Sequence, residues 1–257
     1  MASVFLDRPR QPAPGWAKVL TGAVLLMAFS LICWTVLSSS ARSAEILQNY
    51  RSVFIHGWLL TVGISSASLV LSILIGLVAA LGKQSEIIII RYISTIYIEI
   101  VRGMPFLALI LILWFGIAPH FRLENRMAAG VLALSLFSGA YLAEMFRAGV
   151  ESVGASQRES ARAIGLSSFQ TYWYVIFPQA LRHTLPALTG QFASLIKDSS
   201  LLSIIGLSEF TYSAQQVFSA TYSTMESFLP LAVGYLILTL PVSFWTKRLE
   251  TTLRYET

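Results

Sequence analysis

Residues 52–82 read SVFIHGWLLTVGISSASLVLSILIGLVAALG, a run of 31 residues without a single Asp, Glu, Lys or Arg. A helix of about 20 apolar residues crosses a hydrocarbon layer about 30 Å thick, since each residue adds about 1.5 Å. Lipid offers no partners to backbone N–H and C=O groups, so a segment inside it pairs them within its own helix. This run is therefore predicted to be a transmembrane helix.

Small residues recur within this run at a spacing of four, at Ser68, Ser72, Gly76 and Ala80. On a helix this spacing places them along one side, where short side chains let a neighbouring helix approach closely. We expect this stripe to pack against another membrane-spanning helix.

Uncharged blocks of similar length recur along the whole chain. Its 257 residues are 55% hydrophobic and only 12% charged. A soluble domain carries about 25% charged residues, so this composition points to lipid as the main solvent. The predicted fold class is an all-α integral membrane protein with six transmembrane helices. The predicted spans are residues 19–38, 55–81, 92–117, 127–147, 182–204 and 228–246.

Basic residues outside these spans are distributed unevenly between the two sides of the membrane. If the N-terminus is cytoplasmic, twelve Lys and Arg residues fall on cytoplasmic segments and four on external segments. Cytoplasmic loops carry the excess of Lys and Arg, so both termini are predicted to be cytoplasmic. Loop charge of this kind also accounts for the net charge of +5. No clustered basic face of the kind that binds nucleic acid is visible.

The first apolar block, residues 19–38, has two interpretations. It is longer than the apolar core of a signal peptide, about 7–15 residues, and it contains Trp34. However, basic residues precede it, and Ala41-Arg42-Ser43 is similar to a signal-peptidase site. We expect a retained anchor, so that residues 1–50 form a cytoplasmic tail and an extra span ahead of a transmembrane domain over residues 51–257.

Residues 148–181 lie between two predicted spans and are too polar to enter lipid. Ser156-x-x-Glu159 matches a capping box, in which the Ser and Glu side chains satisfy backbone N–H groups at a helix start. Gly165 suits the left-handed residue that ends a helix. The loop therefore predicts a first short helix over about residues 157–164.

A second short helix is predicted to follow. Ser167-x-x-Gln170 is another capping box, and Pro178 is expected to end the helix because proline cannot continue it. One face carries a large apolar set that either packs under the membrane bundle or meets a partner. That set is Phe169, Tyr172, Trp173 and Ile176.

The loop resembles the EAA loop in membrane subunits of bacterial ABC importers. That pattern reads E-A-A, three residues, G, nine residues and I-x-L-P, and every spacing is kept here. The matching residues are Glu159-Ser160-Ala161, Gly165 and Val175-Ile176-Phe177-Pro178. The departures from the pattern are Ser160, Val175 and Phe177.

Further motifs resemble the branch of this family that takes up polar amino acids, and the likeness covers about residues 55–250. They are Glu99-x-x-Arg102-Gly103-x-Pro105, Ala140-Tyr141-Leu142-Ala143-Glu144 followed by Arg147, Gln179-Ala180-Leu181-Arg182, Leu185-Pro186, and Lys197-Asp198-Ser199-Ser200-Leu201. The resemblance implies a permease subunit of an ATP-driven importer in the bacterial inner membrane. It also implies a five-helix core, so that the first span is an addition to it.

The resemblance implies partners as well. The loop would contain the coupling helices that dock on a separate ATPase subunit. The working unit would contain a second membrane subunit, two ATPase subunits and an external solute-binding protein. The expected docking residues are Glu159, Ser160, Ala161, Gly165, Phe169 and Pro178.

Several ionisable residues fall inside or at the edges of the predicted spans, where they are costly unless they are paired or functional. Glu99 with Arg102, and Glu144 with Arg147, are three residues apart and can pair on one helix face. Each is interpreted either as a structural ion pair or as part of a gate. The candidates for the translocation path or gate are Glu99, Arg102, Glu144, Lys197 and Asp198.

An enzyme site is not predicted. The chain has no G-x-x-x-x-G-K-[ST] loop, so ATP and Mg²⁺ are expected on the partner ATPase and no cofactor on this chain. Its three His residues are scattered, and Cys33 is the single cysteine, which excludes an intrachain disulfide. The alternative function is an ion-coupled secondary transporter. The sequence leaves open which amino acid is carried and whether the two membrane subunits are identical.

Overall fold

The structure is a computed structural model that describes Trp16, residues 20–24, 27, 28 and 31, and the continuous stretch 41–254. For residues 41, 42 and 251–254 it describes the backbone only. The chain divides into two compact units, Met1–Ile46 and Leu47–Thr257. The predicted first span, residues 19–38, lies largely outside the described residues, and the retained anchor stays a prediction.

The described residues are helical and contain no strand, in agreement with the predicted all-α class. Short turns of π-helix, Ile112–Ile117 and Tyr172–Ile176, and of 3-10 helix, Ala118–Phe121 and Ser199–Ile205, connect some of the helices. The α-helices are α1 (Ala41–Lys83), α2 (Ile88–Gly103), α3 (Phe106–Leu111), α4 (Arg126–Glu151), α5 (Ala155–Ala163), α6 (Ser168–Thr171), α7 (Phe177–Asp198), α8 (Phe210–Thr221) and α9 (Thr224–Arg254).

Within the described residues, three helices are long and apolar enough to cross a membrane by themselves, namely α1, α4 and α9. Helix α2 and the segment Phe106–Phe121 are long and apolar enough only when taken together, and they form either one broken span or a re-entrant loop. Helix α7 and the 3-10 turn Ser199–Ile205 occupy the predicted span 182–204, but α7 is not among these long apolar helices. The total of six spans therefore stays a prediction.

The broken span corrects the prediction of one continuous helix over residues 92–117. The axes of α2 and of Phe106–Phe121 are bent by 114°. Pro105 has no N–H to donate within a helix, and it disfavours a helical conformation of the residue before it. Met104 is accordingly extended, with φ −118° and ψ 153°. The chain therefore changes direction sharply at Met104 and Pro105.

The stripe of small residues on α1 packs against α4, as the spacing predicted. Ser68 and Ser72 are fully buried. A Cβ atom added to Gly76 would lie 2.8 Å from Cβ of Leu142 and 3.0 Å from the carbonyl oxygen of Gly139. The two helices therefore approach so closely at this point that only glycine fits.

Large aliphatic side chains from several helices meet in one core. Ile64 on α1, Ile110 on α3, Leu134 on α4, Leu195 on α7 and Leu202 in the following 3-10 turn are all fully buried. Residues far apart in the sequence therefore form one core between α1, α3, α4 and α7.

A buried carboxylate joins three helices at the start of α8. Glu209 caps this helix by accepting hydrogen bonds from the backbone N–H groups of Thr211, at 2.9 Å, and Tyr212, at 2.8 Å. It also accepts from the hydroxyl of Tyr235 on α9, at 3.1 Å, and from that of Thr61 on α1, at 3.4 Å. A single side chain thus fixes α8 relative to α1 and α9.

Candidate functional site

The first helix of the loop, α5, begins earlier than predicted. Gly154 is the residue before its first turn, and the N–H of Gln157 donates to the carbonyl oxygen of Gly154 at 3.1 Å. Ser156 is the second residue of the helix, so the predicted capping box of Ser156 and Glu159 is wrong. An extended glycine starts the helix here without a side-chain cap.

Gly165 ends this helix in the predicted left-handed conformation, with φ +84°. The N–H of Gly165 donates to the carbonyl oxygen of Arg162 at 2.9 Å, and that of Leu166 donates to Ala161 at 3.1 Å. These two bonds form a Schellman motif, which satisfies carbonyl groups left over at a helix end. The angle between the two parts of the loop therefore depends on a backbone conformation that favours glycine.

The second capping box is present as predicted. The hydroxyl of Ser167 accepts from the N–H of Gln170 at 3.2 Å, and the side chain of Gln170 accepts from the N–H of Ser167 at 2.9 Å. Together they start helix α6. Local side-chain chemistry thus fixes where the second part of the loop begins.

The second helix does not end at Pro178, contrary to the prediction. A π-turn over Tyr172–Ile176 joins α6 directly to α7, and the N–H of Phe177 donates to the carbonyl oxygen of Tyr172. Pro178 then falls in the first turn of α7, directly after the π-turn. The loop is therefore continuous with the long helix that follows it.

The π-turn also divides the predicted apolar face. A π-turn adds a residue per turn, so the helical spacing of 3.6 no longer holds across it. Ile176 is buried in a small cluster with Val153 and Ala180. Phe169 is 71% exposed and Trp173 is also exposed, with their rings edge to face at 6.3 Å. One part of the face therefore packs under the bundle, while the aromatic part points to solvent.

Large apolar side chains lie exposed on the loop, which is otherwise polar. We define the exposed loop surface as Ile164, Phe169, Trp173 and Tyr174. Of the expected docking residues, Glu159, Ser160, Gly165, Phe169 and Pro178 are exposed, whereas Ala161 is buried. Ala161 thus packs against its own chain, behind the exposed loop surface.

A charged cluster lies where α1, α2 and α4 meet. Its centre is Glu144, which lies 2.7 Å from Nζ of Lys83, 2.8 Å from Nη2 of Arg147 and 3.8 Å from Nη1 of Arg102. Lys83 also lies 3.6 Å from Glu99, and Arg147 pairs with Glu151 as well. Three cations and three carboxylates are therefore connected, and their formal charges balance.

Two ion pairs are predicted within single helices, and the structure contains one of them. The pair of Glu144 and Arg147 is present, as predicted. Glu99 and Arg102 do not pair with each other among the described ion pairs, since Glu99 contacts Lys83 and Arg102 contacts Glu144. Arg102 also lies over the ring of Tyr141, 5.5 Å from its centre. Both residues of α2 thus bind charges on neighbouring helices.

Lys197 and Asp198 lie apart from this cluster, at the last two residues of α7. Lys197 is exposed, whereas Asp198 is half-buried. This difference agrees with adjacent residues pointing about 100° apart on a helix. Neither residue contributes an ion pair to Glu144.

Lys83 is the site residue that sequence reasoning missed, because it was counted only as a charge that sets orientation. It lies seven residues after Gly76 and three after Ala80, which places it on the side of α1 that packs against α4. That continuation of the small-residue stripe was the available signal. Among the described residues, no group of three His, Cys, Asp or Glu residues is placed to hold a metal ion.

Comparison with known proteins gives consistent matches over most of the chain. The family of binding-protein-dependent transport system inner membrane components matches residues 72–255. The chain is 36% identical over 201 residues to the glutamine transport system permease protein GlnP of Escherichia coli (strain K12), with 77% of this chain and 91% of that protein covered. It is 30% identical over 208 residues to the probable glutamine ABC transporter permease protein GlnM of Bacillus subtilis (strain 168), with 81% and 96% covered.

Solved structures show the same architecture. A crystal structure of an amino acid ABC transporter with histidines superposes with a TM-score of 0.74 at 34% identity, covering 81% of this chain and 96% of that one. An inward-facing structure of the MetNI methionine ABC transporter gives a TM-score of 0.66 at 18% identity, covering 79% and 97%. The second likeness concerns the fold alone.

Proposed function

This chain belongs to the family of binding-protein-dependent transport system inner membrane components, and we propose that it forms the translocation path for a polar amino acid and couples it to a separate ATPase through the loop of residues 156–178. The relatives in this family are permease subunits of ABC transporters, and the helices described above are those of a multi-pass membrane protein. The ATPase coupling and the substrate are the proposed parts.

The observation that carries the proposal is the exposed loop surface. Apolar side chains gathered on the water-exposed part of a membrane protein mark a protein interaction site, because they leave water when a partner covers them. Phe169 and Tyr174 are exposed although the loop has its own buried cluster beneath them. A partner of the soluble kind, such as an ATPase subunit, fits this surface better than lipid does, because polar residues surround it.

The expected docking residues include both exposed and buried residues. Glu159, Ser160 and Gly165 are exposed beside Ile164, so they are proposed to touch the ATPase, together with Phe169 and Pro178. Ala161 is buried, and its proposed role is to let α5 lie close to its own chain. Gly165 sets the angle between α5 and α6 through its left-handed backbone.

The proposed assembly contains a second membrane subunit, two ATPase subunits that bind ATP and Mg²⁺, and an external solute-binding protein. The proposed location is the bacterial inner membrane, with both termini in the cytoplasm. This orientation places the loop on the side where an ATPase finds its nucleotide. The family match over residues 72–255 lends no support to the alternative of an ion-coupled secondary transporter.

The charged residues have two proposed roles. Glu99, Arg102 and Glu144 lie in the charged cluster near the end of α4 that leads into the loop, and they are proposed to act at a gate. Lys197 and Asp198 are proposed as contacts along the translocation path, because they fall within the predicted span 182–204, where ionisable residues are costly unless paired or functional. Glutamine is the first substrate to test, since relatives are glutamine permeases.

The test is uptake by the complete assembly in liposomes. The chain is reconstituted with its ATPase and solute-binding protein, and uptake is measured for a panel of basic, acidic and amide amino acids. The proposal expects uptake that requires ATP inside and persists when ion gradients are collapsed. Uptake that follows an ion gradient and ignores ATP would contradict it.

A further inference from the structure

Lys83 is the last residue of α1, and its ammonium group lies between two carboxylates on other helices. Nζ lies 2.7 Å from Oε1 of Glu144 on α4 and 3.6 Å from Oε1 of Glu99 on α2. The side chain of Lys83 is 22% exposed and that of Glu144 is 16% exposed, so water screens this pair only in part. One cation therefore connects three helices at a single point.

Small side chains make up most of the packing around this point. Ala79 and Ala80 on α1 meet Ile98 on α2 and Ala143 on α4 in one buried cluster. Gly82 lies so close to Ser94 that an added Cβ would overlap its hydroxyl. Small surfaces let the helix backbones approach closely. The short ion pair between Lys83 and Glu144 adds a charge-assisted contact at the end of this packing.

Helix α4 continues from Glu144 to the loop within two turns, ending at Glu151. The guanidinium of Arg158 on α5 donates to the carbonyl oxygen of Val150 at 3.0 Å. Gly149 packs directly against the side chain of Thr184 and lies near the carbonyl of Ala180 on α7. The end of α4 is therefore fixed to the loop on one side and to α7 on the other, and a displacement of the loop acts on it.

We propose that Lys83 is a positioning residue that makes the end of α1 follow α4 when a partner moves the loop. This inference rests on the proposed function, since it needs an ATPase that moves the loop. Without the ammonium group, Glu144 keeps Arg147 and Arg102 as partners, so α4 stays neutralised. Of the ion pairs in the cluster, only those that Lys83 makes with Glu144 and with Glu99 are lost.

The test compares three variants in the complete assembly in liposomes, measuring both uptake and ATP hydrolysis. Lys83→Met removes the cation, and Lys83→Arg keeps it. Arg91→Met removes a cation at the start of α2. The side chain of Arg91 is exposed and makes no ion pair among those described. The quantity that decides is the number of substrate molecules carried per ATP hydrolysed. A purely structural role would lower uptake and hydrolysis together, because fewer assemblies would be intact.

The expected result is a fall of at least about fivefold in substrate per ATP for Lys83→Met, the lower end of typical coupling between sites. Lys83→Arg and Arg91→Met are expected to keep the ratio of the unchanged protein. An unchanged ratio in Lys83→Met, a proportional loss of uptake and hydrolysis, or an equal effect of Arg91→Met would each overturn the inference. ATP-driven uptake by the unchanged protein tests the proposed function separately. Failure of the proposed function is therefore distinguishable from failure of the role of Lys83.

Discussion

Oε1 of Glu144 lies 2.7 Å from Nζ of Lys83, while Oε2 of the same carboxylate lies 2.8 Å from Nη2 of Arg147. Each oxygen of Glu144 therefore holds a different cation, one on α1 and one on its own helix. This arrangement joins the end of the longest described helix to the helix that leads into the loop.

Replacing Glu144 by Gln removes the carboxylate that three cations share. Lys83, Arg102 and Arg147 then repel one another with less compensation. Removing one partner costs about 3–5 kcal/mol in a fully buried pair and about 0–1 kcal/mol in an exposed one, so this partly exposed cluster falls between the two. We expect a clear fall in the melting temperature of the detergent-purified protein. The control is Glu151→Gln, because that side chain is 59% exposed and pairs with Arg147 at the surface. Surface pairs contribute about 0–1 kcal/mol, so equal effects of the two variants would contradict the account.

Replacing Gly165 by Ala tests the hinge between α5 and α6. No atom lies near the position of the new Cβ, so any effect comes from the backbone, whose φ of +84° costs a non-glycine residue about 1–2 kcal/mol. We expect weaker retention of the ATPase during purification and lower uptake. Gly165→Asn should be milder because Asn tolerates this conformation. Gly165→Trp is expected to uncouple ATP hydrolysis from uptake.

The control for the hinge is Gly154→Ala at the other end of α5. Gly154 has φ −56°, and the nearest atom to an added Cβ is 3.7 Å away. Alanine therefore fits there without strain or overlap. An effect of Gly154→Ala as large as that of Gly165→Ala would show that the left-handed conformation is not what matters.

Replacing Phe169 by Ser tests the exposed loop surface. The side chain is 71% exposed, so its removal should leave the melting temperature nearly unchanged. Binding of the ATPase should weaken by about 1 kcal/mol or more, as for an aromatic residue at an interface. Trp245→Ser is the matched control, since Trp245 is also 71% exposed but lies on α9. The measurement is the amount of ATPase that co-purifies with each variant. An equal loss of ATPase from both variants would refute a specific role of Phe169.

Replacing Glu209 by Ala removes a helix cap and two further hydrogen bonds. A helix cap alone is worth about 1 kcal/mol, but this change also leaves the hydroxyls of Thr61 and Tyr235 without their carboxylate. We expect a larger loss of thermal stability than for Asn125→Ala. Asn125 is the comparable cap of α4 and accepts only from the backbone of Met127 and Ala128 among the described bonds. Similar losses from the two variants would show that the link between helices contributes nothing.

The parts of the loop that depend on neighbouring residues were predictable from sequence. The left-handed Gly165 and the box of Ser167 and Gln170 each involve residues within a few positions, and both are present. The box at Ser156 was wrong because the extended Gly154 starts the helix first. The continuation through Pro178 was also missed, since a π-turn accommodates the proline without ending the helix.

The charged cluster was predictable only in part, because its main contacts join distant residues. The pair of Glu144 and Arg147 lies within one turn and was predicted. Lys83 and Glu144 are 61 positions apart, and their contact depends on how α1 packs against α4. Glu99 and Arg102 likewise have their partners on other helices, at Lys83 and Glu144. Spacing along the chain therefore identified the charged residues but not their partners.

The central claim is that the loop between α4 and α7 docks on an ATPase subunit. The most direct test places a photo-crosslinking amino acid at Phe169, and in a matched variant at Phe121, in the assembled complex. Phe121 is 79% exposed and precedes α4, at the end away from the loop. We predict a crosslink to the ATPase from position 169 and none from position 121. A crosslink to the ATPase from position 121, with none from position 169, would contradict both the docking role and the proposed orientation.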